Sequence, residues 1–301
     1  MDHSLMNVVD KPFTQDLSER CKQWLADEES LFDQDYQFHA ISGESKDKVI
    51  GKPYLLYHPE NKKGVLLIHG LMAAPYEVKQ WADSLFSQGY NVYAPRLTGH
   101  GTSVNDLARR NKQEWIKAVE RGHTILAECS EAIILAGFST GAALALNMAI
   151  QNPNKFSALI CISAPLKIKK FSAHFASPVN VWNTILSRLN ISNAKKEFVT
   201  NHADNPHINY LRCPVSSIVQ IKSLMNDVRQ NLASIDLPIL VMHATHDPKV
   251  DVQSSRDIYR LIGSQDKTYH EIDFDLHGII NGEITEQVFS LVDNFLQRQE
   301  A

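Results

Sequence analysis

Residues 133–146 read IILAGFSTGAALAL, and the fold turns on how the serine in the middle is read. Ile133, Ile134 and Leu135 form a short apolar run suited to a buried strand, and Ala142-Ala143-Leu144-Ala145-Leu146 is a helix-forming run. Ser139 lies on the join, with Gly137 and Gly141 two residues to either side. A serine at such a join serves as a turn residue or a helix N-cap. The pattern G-x-S-x-G offers a sharper reading. A strand that turns tightly into a helix lifts the serine hydroxyl out at the sheet edge, in a strained conformation that leaves no room for side chains two residues away. Alanine at 142 and 143 then lets the helix lie close to the sheet. That edge is where α/β folds place their ligands.

Outward from this stretch, short apolar runs recur between amphipathic ones. GVLLIHG (64–70), YNVYAP (90–95), FSALICIS (156–163), LPILVMHATHD (237–247) and TYHEIDF (268–274) read as strands. Residues 75–89, 111–129, 252–263 and about 284–298 read as helices, the first with Val78, Trp81, Ala82 and Leu85 on one face and Gly89 at its end. Strands alternating with helices imply an α/β protein with a mainly parallel sheet covered on both faces. The alternation stops at Pro165 and resumes at Leu237, so residues 166–235 read as an insertion, mostly helical. Upstream, residues 14–31 read as an amphipathic helix capped by Thr14, with Leu17, Cys21, Trp24 and Leu25 at helical spacing. YQFHAI (36–41) and KPYLLYHP (52–59) then suggest an antiparallel pair. The chain divides into residues 1–48, an N-terminal helix and first strand; a core of 49–165 and 236–301; and the insertion, 166–235.

A serine hydroxyl is a poor nucleophile without a base, and the base needs an acceptor to fix its tautomer. Both should lie on later loops at the same sheet edge. Asp247 stands at the end of the LPILVMHATHD strand, and His277 lies just beyond TYHEIDF. The order Ser139, Asp247, His277 is that of an α/β-hydrolase. Other readings stand beside it. His243, His246 and Asp247 could suggest a metal site, but positions three apart on a strand face opposite sides. Asp251, at a helix start, and Asp275 are alternative acids. His100 reads as a loop-stabilising residue and His270 as structural.

The stretches LLIHGLM, YAPRLTGHG, GFSTG, HATHDPKVD and DFDLHG together resemble the α/β-hydrolase superfamily over residues 50–298. The likeness is strongest to its carboxylesterase and monoacylglycerol-lipase-like (serine aminopeptidase-type) branch. The resemblance implies an eight-stranded, mostly parallel sheet with helices on both faces and a helical cap inserted after the sixth strand. It implies Ser139 as nucleophile, Asp247 as acid and His277 as base. It also implies an oxyanion hole made by the backbone N–H groups of Thr140 and Leu71, with Met72 the alternative to Leu71, and no cofactor or metal. His69 and Gly70 then shape the loop. The implied activity is a serine hydrolase cleaving a carboxylic ester through an acyl-enzyme. The same triad would also serve a thioesterase, an amidase or aminopeptidase, or an acyltransferase, and the scaffold could carry a ligand sensor instead. In the insertion, Phe171, Phe175, Trp182 and Leu186 form an apolar stripe. Such a stripe packs against a core, or lines a channel for the acyl group together with Met72.

Composition excludes other classes. The 301 residues carry a formal net charge of −4 and no long basic block, so nucleic acid is not an expected partner. The KIKK run at 167–170 reads as a solvated loop. Cys21, Cys129, Cys161 and Cys213 are far apart and form no CxxC pair, which suits reduced thiols in a cytoplasmic protein. The N-terminal residues lack a signal-peptide pattern, and no apolar run reaches the roughly 18 residues of a membrane span. The expected partner is a small acyl ester. Oligomeric state is not legible.

Overall fold

Five buried, largely apolar runs lie side by side in the middle of the molecule. The computed structural model describes residues 16–167 and 197–300. The strands are β1 (Tyr54–Leu56), β2 (Lys63–Ile68), β3 (Asn91–Ala94), β4 (Ala132–Phe138), β5 (Ala158–Ile162), β6 (Phe198–Thr200), β7 (Arg212–Pro214), β8 (Ile239–Ala244) and β9 (Lys267–Ile272). Seven of them form one sheet in the order β1-β3-β2-β4-β5-β8-β9, and β6 pairs with β7 separately. Every neighbouring pair in the large sheet is parallel except β1 with β3.

The alternation of strand side chains splits the core into two layers. Leu66, Ile68, Leu135, Leu159 and Val241 face α5 (Lys112–Leu126) and α6 (Thr140–Gln151). Val65, Leu67, Ile134, Ile160 and Leu240 pack with Trp81 and Leu85 of α3 (Lys79–Ser87), and with Val292 and Phe295 of the C-terminal helix Thr285–Glu300. Both faces are covered, which is why the central strands read as unbroken apolar runs. Gly137 of the central strand β4 sits opposite Ile68 and Cys161, so the turn at Ser139 opens at the C-terminal edge of β2, β4 and β5.

Three expectations change. The large sheet has seven strands among the described residues, not eight. YQFHAI is not a strand: Tyr36–His39 is the last turn of α1 (Glu19–His39). Phe32 and Tyr36, one helical turn apart, meet edge to face with centroids 5.7 Å apart, and the Tyr36 hydroxyl donates to the Lys46 carbonyl at 2.7 Å. These contacts favour helix over an alternating strand. The N-cap of α1 is Ser18, whose Oγ accepts from Cys21 N–H at 3.1 Å; Thr14 lies outside the described residues. Finally, residues 166–235, read as mostly helical, hold strand as well as helix in their described part. That part holds the β6–β7 ribbon and a helix, Val215–Asn231, whose Ile218, Ile221 and Leu224 join the same apolar layer as α6. Phe171, Phe175, Trp182 and Leu186 lie outside the described residues. Among the described residues no helix is long and apolar enough to cross a membrane.

Candidate active site

Ser139 sits between β4 and α6 with φ 54° and ψ −120°, a region that L-residues enter only under constraint. Its side chain makes no capping hydrogen bond to α6, so it is not an N-cap in the ordinary sense. The backbone holds the turn instead. Ser139 N–H donates to the Ile162 carbonyl at 2.8 Å, and the Ser139 carbonyl accepts from Ala142 N–H at 3.0 Å. The flanking glycines are sterically required. A Cβ at Gly141 would lie 2.1 Å from the Ile68 carbonyl oxygen, and one at Gly137 would lie 2.4 Å from the Gly141 carbonyl carbon.

Asp247 follows β8 and His277 follows β9. The buried Asp247 side chain accepts Lys249 N–H at 2.7 Å and Val250 N–H at 2.9 Å on Oδ1. Its Oδ2 lies 2.6 Å from His277 Nδ1 and 3.2 Å from His243 Nε2. Burial alone would raise its pKa, but His277 and the neighbouring His243 outweigh burial and hold the carboxyl well below the usual range. A carboxylate only accepts, so His277 carries its proton on Nδ1 and leaves Nε2 as an acceptor. The Phe138 ring lies against His277, centroids 4.9 Å apart.

Ser139 and His277 line one cleft of about 830 Å³, open to solvent, together with Leu71, Met72 and Thr140. Phe138, Ile221, Met225 and Val250 add apolar surface; Glu77, Asn201, Asp204, Asn209, Lys249 and Asn281 add polar surface. Thr140 opens α6, so its N–H has no intrahelical acceptor. Among the described residues, no backbone acceptor is paired with the N–H of Leu71, Met72 or Thr140. Met72 has φ 63°, and its carbonyl accepts Tyr210 N–H at 2.8 Å.

The alternative acids and ligands fall elsewhere. Asp251 accepts Gln253 N–H at 3.0 Å, as a cap residue does at a helix start. Asp275 is exposed. His246 is exposed beside Asp273 at 3.5 Å, while His243 is buried, and no group of three metal-type ligands occurs among the described residues. His100 is buried, with Nδ1 against the Leu97 carbonyl at 3.2 Å, and burial pushes its pKa well below the ordinary value.

Three polar residues beside the site were missed in the reading of the sequence or read in another role. His243, read only as a possible metal ligand, is buried with Nε2 3.3 Å from the Val250 carbonyl and 3.2 Å from Asp247 Oδ2. Glu77 looked like an ordinary helix acid. It is buried in the cleft wall, and burial pushes its pKa up to about 7. Asp204 accepts Gly278 N–H at 3.0 Å and pairs with Lys249 Nζ at 2.9 Å, from within the insertion.

The family model described as serine aminopeptidase, S33 matches residues 59–284. The chain belongs to that family. Among curated relatives of this S33 chain, a thermostable monoacylglycerol lipase from Bacillus sp. (strain H-257) is 27% identical over 214 residues, spanning 70% of this chain and 81% of the relative. A carboxylesterase from Bacillus subtilis (strain 168) is 27% identical over 206 residues, spanning 68% and 80%. Among solved structures, that reported for the metagenome-derived lipolytic enzymes LipS and LipT superposes with a TM-score of 0.70 at 22% identity, covering 86% of this chain and 99% of that one. At that identity the likeness shows the α/β-hydrolase fold.

Proposed function

We propose that this S33 protein is a serine hydrolase that cleaves small carboxylic esters through an acyl-enzyme on Ser139. The observation that carries the reading is the buried Asp247–His277 pair at 2.6 Å, with His277 opening on the cleft that Ser139 also lines. His277 Nε2 takes the Ser139 Oγ proton as Oγ attacks the acyl carbon. The N–H groups of Thr140 and Leu71 face the oxygen that becomes negative, and the dipole of α6 adds to their pull. The tetrahedral species collapses, the C–O bond to the alcohol breaks, and His277 returns the proton to the leaving alkoxide. Water then repeats the cycle on the acyl-enzyme, releasing the acid and restoring Ser139. Asp247 stays ionised throughout and holds the His277 tautomer.

The cleft's two surfaces suit an ester. Leu71, Met72, Phe138, Ile221 and Met225 offer an apolar wall to the acyl group, and the relatives named as a lipase and a carboxylesterase support this class. Residues 166–235 act as the cap. Asn201, Asp204, Ile221 and Met225, all from that segment, line the cleft. The apolar stripe Phe171, Phe175, Trp182 and Leu186 would extend the acyl wall from the same segment. Four free, buried cysteines suit a reducing compartment such as the cytoplasm.

The test is Ser139→Ala. The variant should fold, turn over short p-nitrophenyl esters at a negligible rate, and lose labelling by a fluorophosphonate. Labelling of the variant at the cleft would remove Ser139 as nucleophile. Turnover of aminoacyl amides in preference to esters by the wild type would remove the ester reading.

A further inference from the structure

Gly70 is gripped at both ends by side chains that the proposed mechanism does not use. Its N–H donates to Glu77 Oε2 at 2.7 Å. Its carbonyl oxygen lies 2.8 Å from His69 Nδ1, and His69 Nε2 accepts Leu97 N–H at 3.2 Å. With Nε2 occupied as an acceptor, His69 carries its proton on Nδ1 and donates it to the Gly70 carbonyl. Burial lowers the His69 pKa to about 4, which keeps the ring neutral near pH 7.

This grip fixes a direction. The Gly70 carbonyl and the Leu71 N–H belong to one planar trans peptide and point opposite ways. Holding the carbonyl on His69 therefore restricts the Leu71 N–H to the other side. The remaining freedom is rotation about the Gly70 Cα, which glycine leaves soft. Glu77 removes it by holding the preceding N–H. A Cβ at position 70 would lie 3.0 Å from Glu77 Oε2, so a larger residue would press on the oxygen that holds the N–H. Glu77 is in turn fixed to other elements: its backbone carbonyl accepts Asn281 Nδ2 at 3.0 Å, and its Oε1 lies 3.5 Å from Asn209 Nδ2.

We propose that Glu77 is a positioning residue that aims the Leu71 N–H at the developing oxyanion by holding Gly70 N–H. This rests on the reading of Ser139 as nucleophile. The role requires only an acceptor at Oε2, not a charge. A residue that merely filled space would affect stability and leave the transition state alone.

The test compares wild type with Glu77→Met, which keeps bulk and removes the acceptor, and Glu77→Gln, which keeps a carbonyl acceptor. Loss of an entire oxyanion donor lowers kcat by about 10²–10³, so a misaimed donor should lower it by about 10–10². In Glu77→Met, kcat for a p-nitrophenyl ester should fall by that factor with KM within about threefold. Inhibition by a trifluoromethyl ketone, which forms an oxyanion on serine, should weaken in parallel. Glu77→Gln should recover most of the loss. A folded Glu77→Met with wild-type kcat, a loss confined to KM, or a Gln variant as impaired as Met would each overturn the role. If Glu77→Met does not fold, the crystal structure of phosphonylated wild type decides. Its phosphonyl oxygen should accept from Leu71 N–H while Gly70 N–H remains on Glu77; a donor other than Leu71, or a released Glu77, overturns it. Absence of phosphonyl label on wild-type Ser139 would instead remove the nucleophile, and the positioning role with it.

Discussion

Glu77 and His69 hold the same glycine and respond to pH in opposite senses. Burial raises Glu77 from 4.5 to about 7. Unfolded chains lose that proton near 4.5 and the folded protein keeps it until about 7, so ionisation pulls toward unfolding as pH rises through this window. Burial lowers His69 from 6.5 to about 4. Its contribution is present above about 6.5 and is lost as pH falls toward 4. Each shift corresponds to about 3 kcal/mol at full extent, from roughly 1.4 kcal/mol per unit. The two therefore offset across almost the same range, and the buried His100 adds to the acid-side loss. Glu77→Gln removes one side of this balance. It should match wild-type stability near pH 4.5 and exceed it by up to about 3 kcal/mol above pH 7, with a steeper fall toward acid. Urea unfolding at pH 5, 6, 7 and 8 measures this directly. A stability difference that stays constant across the four values would refute it.

At the scale of elements, one carboxylate joins three loops. Asp204 lies between β6 and β7, yet it accepts Gly278 N–H beside His277 and pairs with Lys249, whose backbone N–H holds Asp247. The β6–β7 connection and the loops after β8 and β9 thus meet at a single side chain. Asp204→Ala leaves Gly278 N–H without its acceptor and should lower kcat by about tenfold, one hydrogen bond's worth. Asp204→Asn, which can still accept from Gly278, should lose less. Full kcat in the alanine variant, measured on a p-nitrophenyl ester, would show that His277 needs no such support. None of this was legible beforehand, because bonds across 45 and 74 residues leave no periodic trace. What was legible has a physical reason. Strands β2 to β5 and β8 are buried on both faces and stand out as apolar runs. Ser139 and Asp247 each follow such a run and His277 follows the partly buried β9, so their common edge could be anticipated. The misread strand at Tyr36–Ile41 alternates like a surface strand, with Tyr36 and Phe38 two apart. Phe38 is in fact 81% exposed, and the helix is decided by Phe32 and Tyr36 meeting across one turn. Strands β6 and β7 have three residues each, too few for any period to register.

Across the whole molecule, α1 stands before the alternation of strands and helices but is not outside the packing. It touches no strand edge as a partner, yet Phe32 is fully buried. A Cβ on Gly51 would lie 2.7 Å from the Phe32 ring, and the Arg96 guanidinium sits 5.2 Å from its centroid while pairing with Asp35. Glu28 pairs with Arg121 of α5. Arg96 precedes Leu97, whose N–H reaches His69, so α1 stands a few contacts from the Gly70 loop. That loop is also held from the opposite side, where Gly141 packs against the carbonyls of Ile68 and His69. Support from β2 and α6 is independent of α1, so loss of α1 packing should tell on stability more than on chemistry. Phe32→Ala should cost about 3–5 kcal/mol, a large share of the roughly 5–15 kcal/mol of a typical domain. At roughly 2–4 °C per kcal/mol, Tm should drop by about 10 °C. The kcat at 20 °C, where the variant remains folded, should stay within about twofold of wild type. Thermal melts paired with ester turnover make the measurement. An unchanged Tm would mean that α1 unfolds apart from the core. A large drop in kcat with the fold intact would mean instead that the Phe32–Arg96–Leu97–His69 chain of contacts governs the loop, and that β2 and α6 do not hold it alone.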